Sequence, residues 1–460
     1  MINLKVKPKL DPDFLPFSIY LRNFKEEVKE HVNKEVFAIC IERQDQYRYR
    51  YEIELLPFNS DLNYQKNLTI TERLIKSILW VVGGYKIYLG GNTKLAFDIK
   101  KMYLDNGSRA FDFHFMSRVY QQPFEVFVVP FEEVPSEVLA SIPMGGHLDG
   151  YRIGFDAGGS DRKVSAVVNG KAIYSEEVVW HPKLQTDPDY HYKGILDSFM
   201  RAASKMPRVD AIGVSSAGIY IDNEVRVASL FIKVPDDIFQ AKACDVYIRA
   251  AKEIGDVPLS VANDGDVTAL AGAMELKDHS VLGIAMGTSE AAGYINHEGN
   301  LLGWLSELAF VPVDLNPKAI TDEWSGDYGC GVKYFSQDAV IKLAPAAGIN
   351  LDDSLSPAEK LKVVQKLMAA KDIRAYLIYE TIGIYLGYAL AFYAEFYDIK
   401  HLLLLGRVTS GVGGQVIVQK TKEVLELEFP QYKDILIHMP DEENRRVGQS
   451  IAAASLPIIK

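Results

Sequence analysis

Cysteine is scarce in this chain. The 460 residues hold three, Cys40, Cys244 and Cys330, far apart and with no CxxC pair, so no disulfide framework is available. Positive charge is also in deficit. Lys and Arg number 50 against 61 Asp and Glu, giving a formal charge of −11 and a pI near 5.4. A nucleic-acid footprint normally needs a basic face, so nucleic acid is disfavoured as a partner. No apolar run approaches the ~20 residues of a membrane span. The start, Met1 to Lys9, carries charge with no apolar stretch behind it, which argues against a secretory leader. A reducing, cytoplasmic setting without a membrane partner is the expectation. What remains is the balance of a globular protein with sizeable cores, 48% hydrophobic and 24% charged, in a chain too long for one ordinary domain.

Residues 1–148 read as an α+β unit rich in aromatics. Val36–Ile41 is strand-like, and Tyr47–Leu55 alternates at period two after a polar turn, so the pair forms a hairpin with one solvated face. Its ladder of Tyr47, Arg48, Tyr49, Arg50 and Tyr51 fits a solvated sheet face better than a stacking surface for sugar or nucleic acid. Thr71–Trp80 has helical spacing and stops before Gly83-Gly84; Lys86–Leu89 is a short strand, followed by a helix that runs through Met102. Phe111, Phe113 and Phe115 alternate with Asp112 and His114, which predicts a further strand. Strand signals prevail where a helix-turn-helix would need two short helices. Pro130–Pro135, then Met144 to His147, marks a boundary.

From Tyr151 the texture changes to strands, glycine turns and helices. Three strands, the last two joined by the hairpin turn Asn169-Gly170, are followed by a helix over 194–205, a buried-type strand from Ala211 to Gly218 and a long helix over 240–254. A similar succession returns from Ser280, with strands at 280–288, 292–296 and 401–406, the pattern of duplicated lobes.

Four stretches carry candidate chemistry. Asn263-Asp264 follows the strand Pro258–Val261 and opens a small-residue helix, which puts Asp264 at the carboxyl end of a strand, where α/β proteins build sites. It could act as a general base towards an attacking hydroxyl, or simply cap the helix. Asp156-Ala157-Gly158-Gly159-Ser160 also ends a strand; its glycines admit close backbone approach, its N–H groups and the Ser160 hydroxyl suit an anion, and Asp156 could hold a cation beside it. Gly287-Thr288-Ser289 repeats that logic. So does Gly406 to Gly414, with Gly406, Ser410, Gly411, Gly413 and Gly414.

In this order these pieces resemble the ROK family (repressors, open reading frames, sugar kinases), over about residues 150–460. Asp156 to Ser160 looks like its first phosphate motif, Asn263-Asp264 like its catalytic pair, Gly287-Thr288 like its second phosphate motif and Gly406 to Gly411 like its adenosine-side motif. Ser306 to Val313 is similar to its sugar-binding stretch, and Tyr328 to Ala339 to the remnant of its cysteine motif. The resemblance implies an α/β, two-lobed actin-like ATPase (ribonuclease H-like) fold behind an additional N-terminal α+β domain. The implied domains are 1–148, a first lobe over 149–265 completed by about 440–460, and a second lobe over 266–440. It implies an ATP- and Mg2+-dependent kinase acting on a hydroxyl of a sugar or amino sugar, in a homodimer. Asp264 would be the base; Asn263, Glu307 and Ser216 would meet the acceptor. Asp156 (with Mg2+), Gly158, Gly159, Ser160, Gly287, Thr288, Gly406 and Gly411 would meet the nucleotide. A non-catalytic sugar-sensing regulator, or a scaffold, is the alternative.

The chain departs from the family pattern at several points. Ala309 or Phe310 stands where the family carries a histidine, and Cys330 alone stands for several cysteines. A structural zinc site wants four N or S ligands, so no zinc site is expected. The family's glutamate near Val332 is missing. Glu290 sits in the second phosphate loop, where its charge would oppose phosphate unless it points elsewhere.

Overall fold

The computed structural model describes residues 3–139, 143, 145–440 and 442–459, without the side chains of 442–447. Met144, part of the anticipated boundary, lies outside the described residues. The chain divides into two compact units. Unit 1 comprises Met1–Ala140, Ile284–Ala291 and Trp304–Met439; unit 2 comprises Ser141–Gly283, Ala292–Gly303 and Pro440–Lys460. The N-terminal segment thus shares a unit with 304–439 rather than standing alone.

Unit 1 begins with α1 (Phe17–Lys29), β1 (Glu35–Glu42), β2 (Arg48–Leu55), α2 (Asp61–Val82), β3 (Lys86–Gly90), α3 (Thr93–Met102), α4 (Ala110–Tyr120) and β4 (Glu125–Val129). Its sheet order is β2-β1-β3-β4, antiparallel except for the parallel β3–β4 pair. The strand anticipated at 111–115 is helix α4. Phe111 and Phe115 lie four residues apart, hence on one helical face, where they stack on each other at 5.7 Å and on Trp80 at 6.0 and 4.9 Å. Tertiary packing of that face overrides the local alternation. One face of β2 is covered, where Tyr49 packs edge-on to Trp304 and Tyr51 donates to Glu395 Oε2 at 3.1 Å, while Glu52 and Glu54 on the opposite face are exposed.

Unit 2 opens with β5 (Tyr151–Ala157), β6 (Asp161–Val168) and β7 (Lys171–Val179), then α5 (Pro188–Ala203), β8 (Ala211–Ser216), the hairpin β9 (Ile219–Ile221) and β10 (Glu224–Val227), and a short α6 (Asp236–Ile238). It continues through a π-helical turn over Phe239–Ala243, α7 (Val246–Ile254), β11 (Leu259–Asn263) and α8 (Asp264–Leu276). The single long helix expected over 240–254 is therefore broken. The sheet order is β11-β8-β5-β6-β7, with β5, β8 and β11 parallel. Helix α13 (Glu442–Ala454) lies across it. The register pairs Gly154 with Gly213, and a Cβ on either would sit about 2 Å from a helix carbonyl, Ser450 or Ala453. Two facing glycines let the last helix close the core, which explains why residues 440–460 belong to this unit.

The remaining elements are β12 (Val281–Met286), β13 (Glu290–Ile295), α9 (Gln337–Leu343), α10 (Pro357–Ala369), α11 (Ile373–Tyr393), β14 (His401–Leu405), α12 (Val412–Glu428) and β15 (Leu436–His438). They form a second sheet, β13-β12-β14-β15, in which β14 and β15 stand to β12 as β8 and β11 stand to β5. The strands anticipated at 280–288, 292–296 and 401–406 are β12, β13 and β14. Among the described residues α11 is the one helix long and apolar enough to cross a membrane, and 89% of its apolar window is buried inside the protein. It is a core helix.

Candidate functional site

In unit 2 the candidate residues gather at the carboxyl ends of three parallel strands. The register sets Ala157, Ser216 and Asn263 in one row across β5, β8 and β11, with Asp156 beside Ser215 one step inward. Asp264 follows directly as the first residue of α8, and Asn263 is the cap: its Oδ1 accepts from Gly265 N at 2.7 Å, and its Nδ2 donates to Gly218 O at 2.7 Å. Asp264 therefore does not serve as the cap, the structural alternative considered for it. Gly265 and Gly293 are pressed backbone to backbone, for a Cβ on Gly293 would lie 2.2 Å from the Gly265 carbonyl carbon. That close approach fixes the start of α8 on β13.

Two half-buried carboxylates face each other electrostatically here. Burial, then the charge of Asp264, pushes the Asp156 carboxyl up to about 6, with Lys163 and the hydroxyl of Ser215, which donates to Oδ1 at 3.0 Å, pulling the other way. Burial raises Asp264 as well; the amides of Gly265 and Asp264 and the amine of Lys183 oppose it. The sequence reasoning missed both lysines. Lys163 was legible, since the β5–β6 register sets it opposite Asp156. Lys183 comes from a separate 3-10 turn, and only the fold brings it in: a Cβ on Gly159 would meet its Cε at 3.1 Å and its Nζ at 3.3 Å.

The Gly158–Ser160 loop is held by Trp180, whose indole N–H donates to Gly158 O at 2.8 Å and whose amide donates to Ser160 O at 3.1 Å. Gly159 and Ser160 are exposed, with exposed Lys183 over them. A backbone loop with a cation above it is suited to an anion. Ser216 is placed differently from a free ligand-binding hydroxyl: it is fully buried, and its Oγ accepts from Tyr220 at 2.6 Å and Tyr247 at 3.0 Å.

In unit 1, Gly287 and exposed Thr288 lie in the turn from β12 to β13, with Gly287 N donating to Ser289 O at 2.9 Å. Gly406 ends β14 with φ of 97°, and a Cβ there would fall 2.3 Å from Met286 O, so the two strand ends meet as bare backbone. Gly411, at φ 72°, caps α12 with open space around its Cα. Glu290 turns inward. It is 3% exposed, its Oε2 lies 2.4 Å from where a Gly331 Cβ would be, and neither carboxylate oxygen has a hydrogen-bond partner. Burial, then the nearby charge of Glu307, drives its carboxyl well above the usual range, which favours the neutral acid. The anticipated repulsion of phosphate by Glu290 loses its basis.

Glu307 begins the 3-10 turn Leu308–Phe310. The amides of Leu305, Ser306 and Glu307 donate to the carbonyls of Val82 (3.4 Å), Val81 (2.9 Å) and Trp80 (3.0 Å) at the end of α2. Carbonyls left unpaired by a helix end are satisfied by this loop, so the N-terminal segment braces Glu307. Phe310 packs on Trp80, with ring centroids 4.2 Å apart. Cys330 is fully buried, and burial raises its thiol to about 12.

No protein-family model and no curated protein matches this chain. Its fold does match solved structures. A ROK hexokinase from Thermus thermophilus is similar over 66% of this chain and 98% of its own, at 17% identity and a TM-score of 0.52. A ROK family transcriptional regulator, a homolog of the E. coli MLC protein, is similar over 66% of this chain and 78% of its own, at 17% identity and a TM-score of 0.50. About two thirds of the chain therefore has the α/β architecture of ROK-family structures.

Proposed function

We propose that the chain is a ROK-type carbohydrate kinase that transfers the γ-phosphoryl group of ATP to a hydroxyl of a sugar or amino sugar. Asp264 takes the hydroxyl proton as the acceptor oxygen attacks phosphorus; the new O–P bond forms as the bond to the β-phosphate oxygen breaks, and ADP leaves. Asn263 and Glu307 orient the acceptor. Ser216, anticipated as an acceptor ligand, is already engaged by the hydroxyls of Tyr220 and Tyr247 and is given no direct contact here. Gly158, Gly159, Ser160, Gly287 and Thr288 offer backbone and hydroxyl groups to the phosphates, with Lys183 as their counter-charge, while Gly411, with open space beside it, and the backbone of Gly406 meet the adenosine.

The donors suit magnesium. Asp156 would be its oxygen ligand: the charge of Asp264 raises the Asp156 carboxyl, and a hard dication held there together with phosphates would relieve that repulsion. Bound there, Mg2+ supplies charge neutralisation for the transferring group.

The observation that carries this reading is the placement of Asp264 at a strand end beside Asp156, half-buried and relieved of capping by Asn263. A sugar-sensing regulator without phosphoryl transfer is the second reading, favoured by the likeness to a transcriptional regulator. The test is ATP consumption with Mg2+ across a panel of sugars and amino sugars, with Asp264→Ala in parallel. Turnover with one sugar that falls about a thousandfold or more in the variant supports the kinase. Sugar binding with turnover at the level of the variant overturns it in favour of the regulator.

A further inference from the structure

Trp324 stands out in unit 1: its indole is 61% exposed on a loop held by its own hydrogen bonds. Asp322 N donates to Asp327 O and Gly326 N to Asp322 O, both at 2.8 Å, and Ser325 Oγ donates to Asp322 Oδ2 at 2.6 Å. The end of the loop is pinned by Asp327, which is buried against Arg73 (2.8 Å), Lys76 (3.1 Å) and Arg109 (2.7 Å) from α2 and the start of α4. This costly buried ion cluster holds a loop whose outward side chains include Glu323 and Trp324. The ring itself is braced by Phe310 at 5.3 Å, Phe111 at 5.9 Å and Phe115 at 6.0 Å. Phe310 closes the turn that Glu307 opens, its amide donating to Glu307 O at 3.1 Å.

We propose that Trp324, braced by Phe111, Phe115 and Phe310, is a stacking subsite for a pyranose ring next to the one oriented by Glu307, so that the acceptor has at least two sugar rings. The inference rests on the carbohydrate reading above and extends it. One face of a pyranose presents C–H bonds, which suit the electron-rich face of an indole. Glu323, exposed and paired with Lys333, gives hydroxyl groups a polar rim. One indole and the half-buried rings of Phe111 and Phe115, with Phe310 buried beneath them, are too little for a protein partner, which needs roughly 800 Å2 on each side. The N-terminal segment thereby acquires a role, since α2 and α4 hold this subsite in place.

Calorimetric titration of the full chain with disaccharides (maltose, cellobiose, diacetylchitobiose) and their component monosaccharides tests it, in wild type, Trp324→Ala and Trp324→Phe. The expected result is a disaccharide affinity reduced about tenfold or more in Trp324→Ala and largely kept in Trp324→Phe, with monosaccharide affinity shifted less than about twofold. Equal disaccharide binding by wild type and Trp324→Ala overturns the inference, as does wild-type binding confined to monosaccharides. ATP turnover on a monosaccharide under either of those outcomes leaves the kinase reading standing, so the two failures are told apart. Absence of binding by every saccharide overturns both.

Discussion

Asn263 Oδ1 accepts the amide of Gly265 at 2.7 Å across the residue between them, and that residue is Asp264. Capping and chemistry are thus assigned to neighbouring side chains, which makes them separable. Asp264→Asn is expected to lower ATP turnover by about a thousandfold or more while leaving the melting temperature unchanged or slightly raised, because burial disfavours its charged form. Asn263→Ala is expected to destabilise the fold by about 1 kcal/mol, the usual worth of an N-cap, seen as an earlier urea midpoint. A reversal of the two stability effects would show that Asp264 carries the helix end.

The raised Asp156 carboxyl makes pH a second handle. An acid whose folded pKa exceeds its unfolded value favours folding most below the unfolded value, and loses that advantage as pH rises through the folded value. Asp156 lies near 6 in the fold against about 3.9 unfolded. Asp156→Asn is therefore expected to melt near the wild type at pH 4 and above it at pH 8, by an amount on the order of 3 kcal/mol at most. Added Mg2+ is expected to raise the wild-type melting temperature at pH 8 and to leave the variant unmoved. A melting difference that does not change with pH would contradict the shift.

Much of this was legible in the sequence. Asp156, Asn263 and Gly406 each end a β-branched or leucine-rich run and begin a glycine-rich or helical one, so their position at strand ends followed from periodicity alone. Other parts depend on contacts distant in sequence. Phe111 and Phe115 alternate like strand residues, yet they form a helical face because Trp80 and Phe310 lie against them. The orientation of Glu290 was undecidable from its position in a two-residue period, since Gly331, which makes room for it, is 41 residues away. Lys183 and the ion cluster at Asp327 were invisible for the same reason.

Glu290 gives a stability test independent of function. Its buried carboxyl, without partners, is held well above the usual range, so folding favours the neutral acid. The contribution is complete below the unfolded value of about 4.3 and is lost progressively as pH rises. Glu290→Gln keeps the shape without the ionisable proton. Its urea midpoint is expected to match the wild type near pH 4 and to exceed it increasingly from pH 6 to pH 9. A variant less stable than wild type across that range would mean that Glu290 has a partner only the carboxyl can satisfy.

Asp327 provides the opposite sign. Lys76, Arg109 and Arg73 hold its carboxyl well below the usual range, although burial alone would raise it. Such a group stabilises the fold above its unfolded value of about 3.9 and loses that contribution as pH falls below it. Glu72 bonds Arg109 at 2.5 Å and Arg73 at 3.2 Å, and Asp112 accepts from the Trp80 indole at 2.7 Å and lies 3.5 Å from Lys76, so three buried cations and three buried anions balance. Removing one charge leaves a buried excess of positive charge, a change that costs about 3–5 kcal/mol. Asp327→Asn is expected to lower the urea midpoint accordingly at pH 7 and to flatten the acid limb of the stability profile below pH 4. The cluster ties α2 and α4 to the 322–330 loop within one unit, so wild-type fluorescence and circular dichroism should report one transition for unit 1, with the N-terminal segment unfolding earlier in the variant. Full stability in Asp327→Asn would mean that the three cations find their charge balance elsewhere.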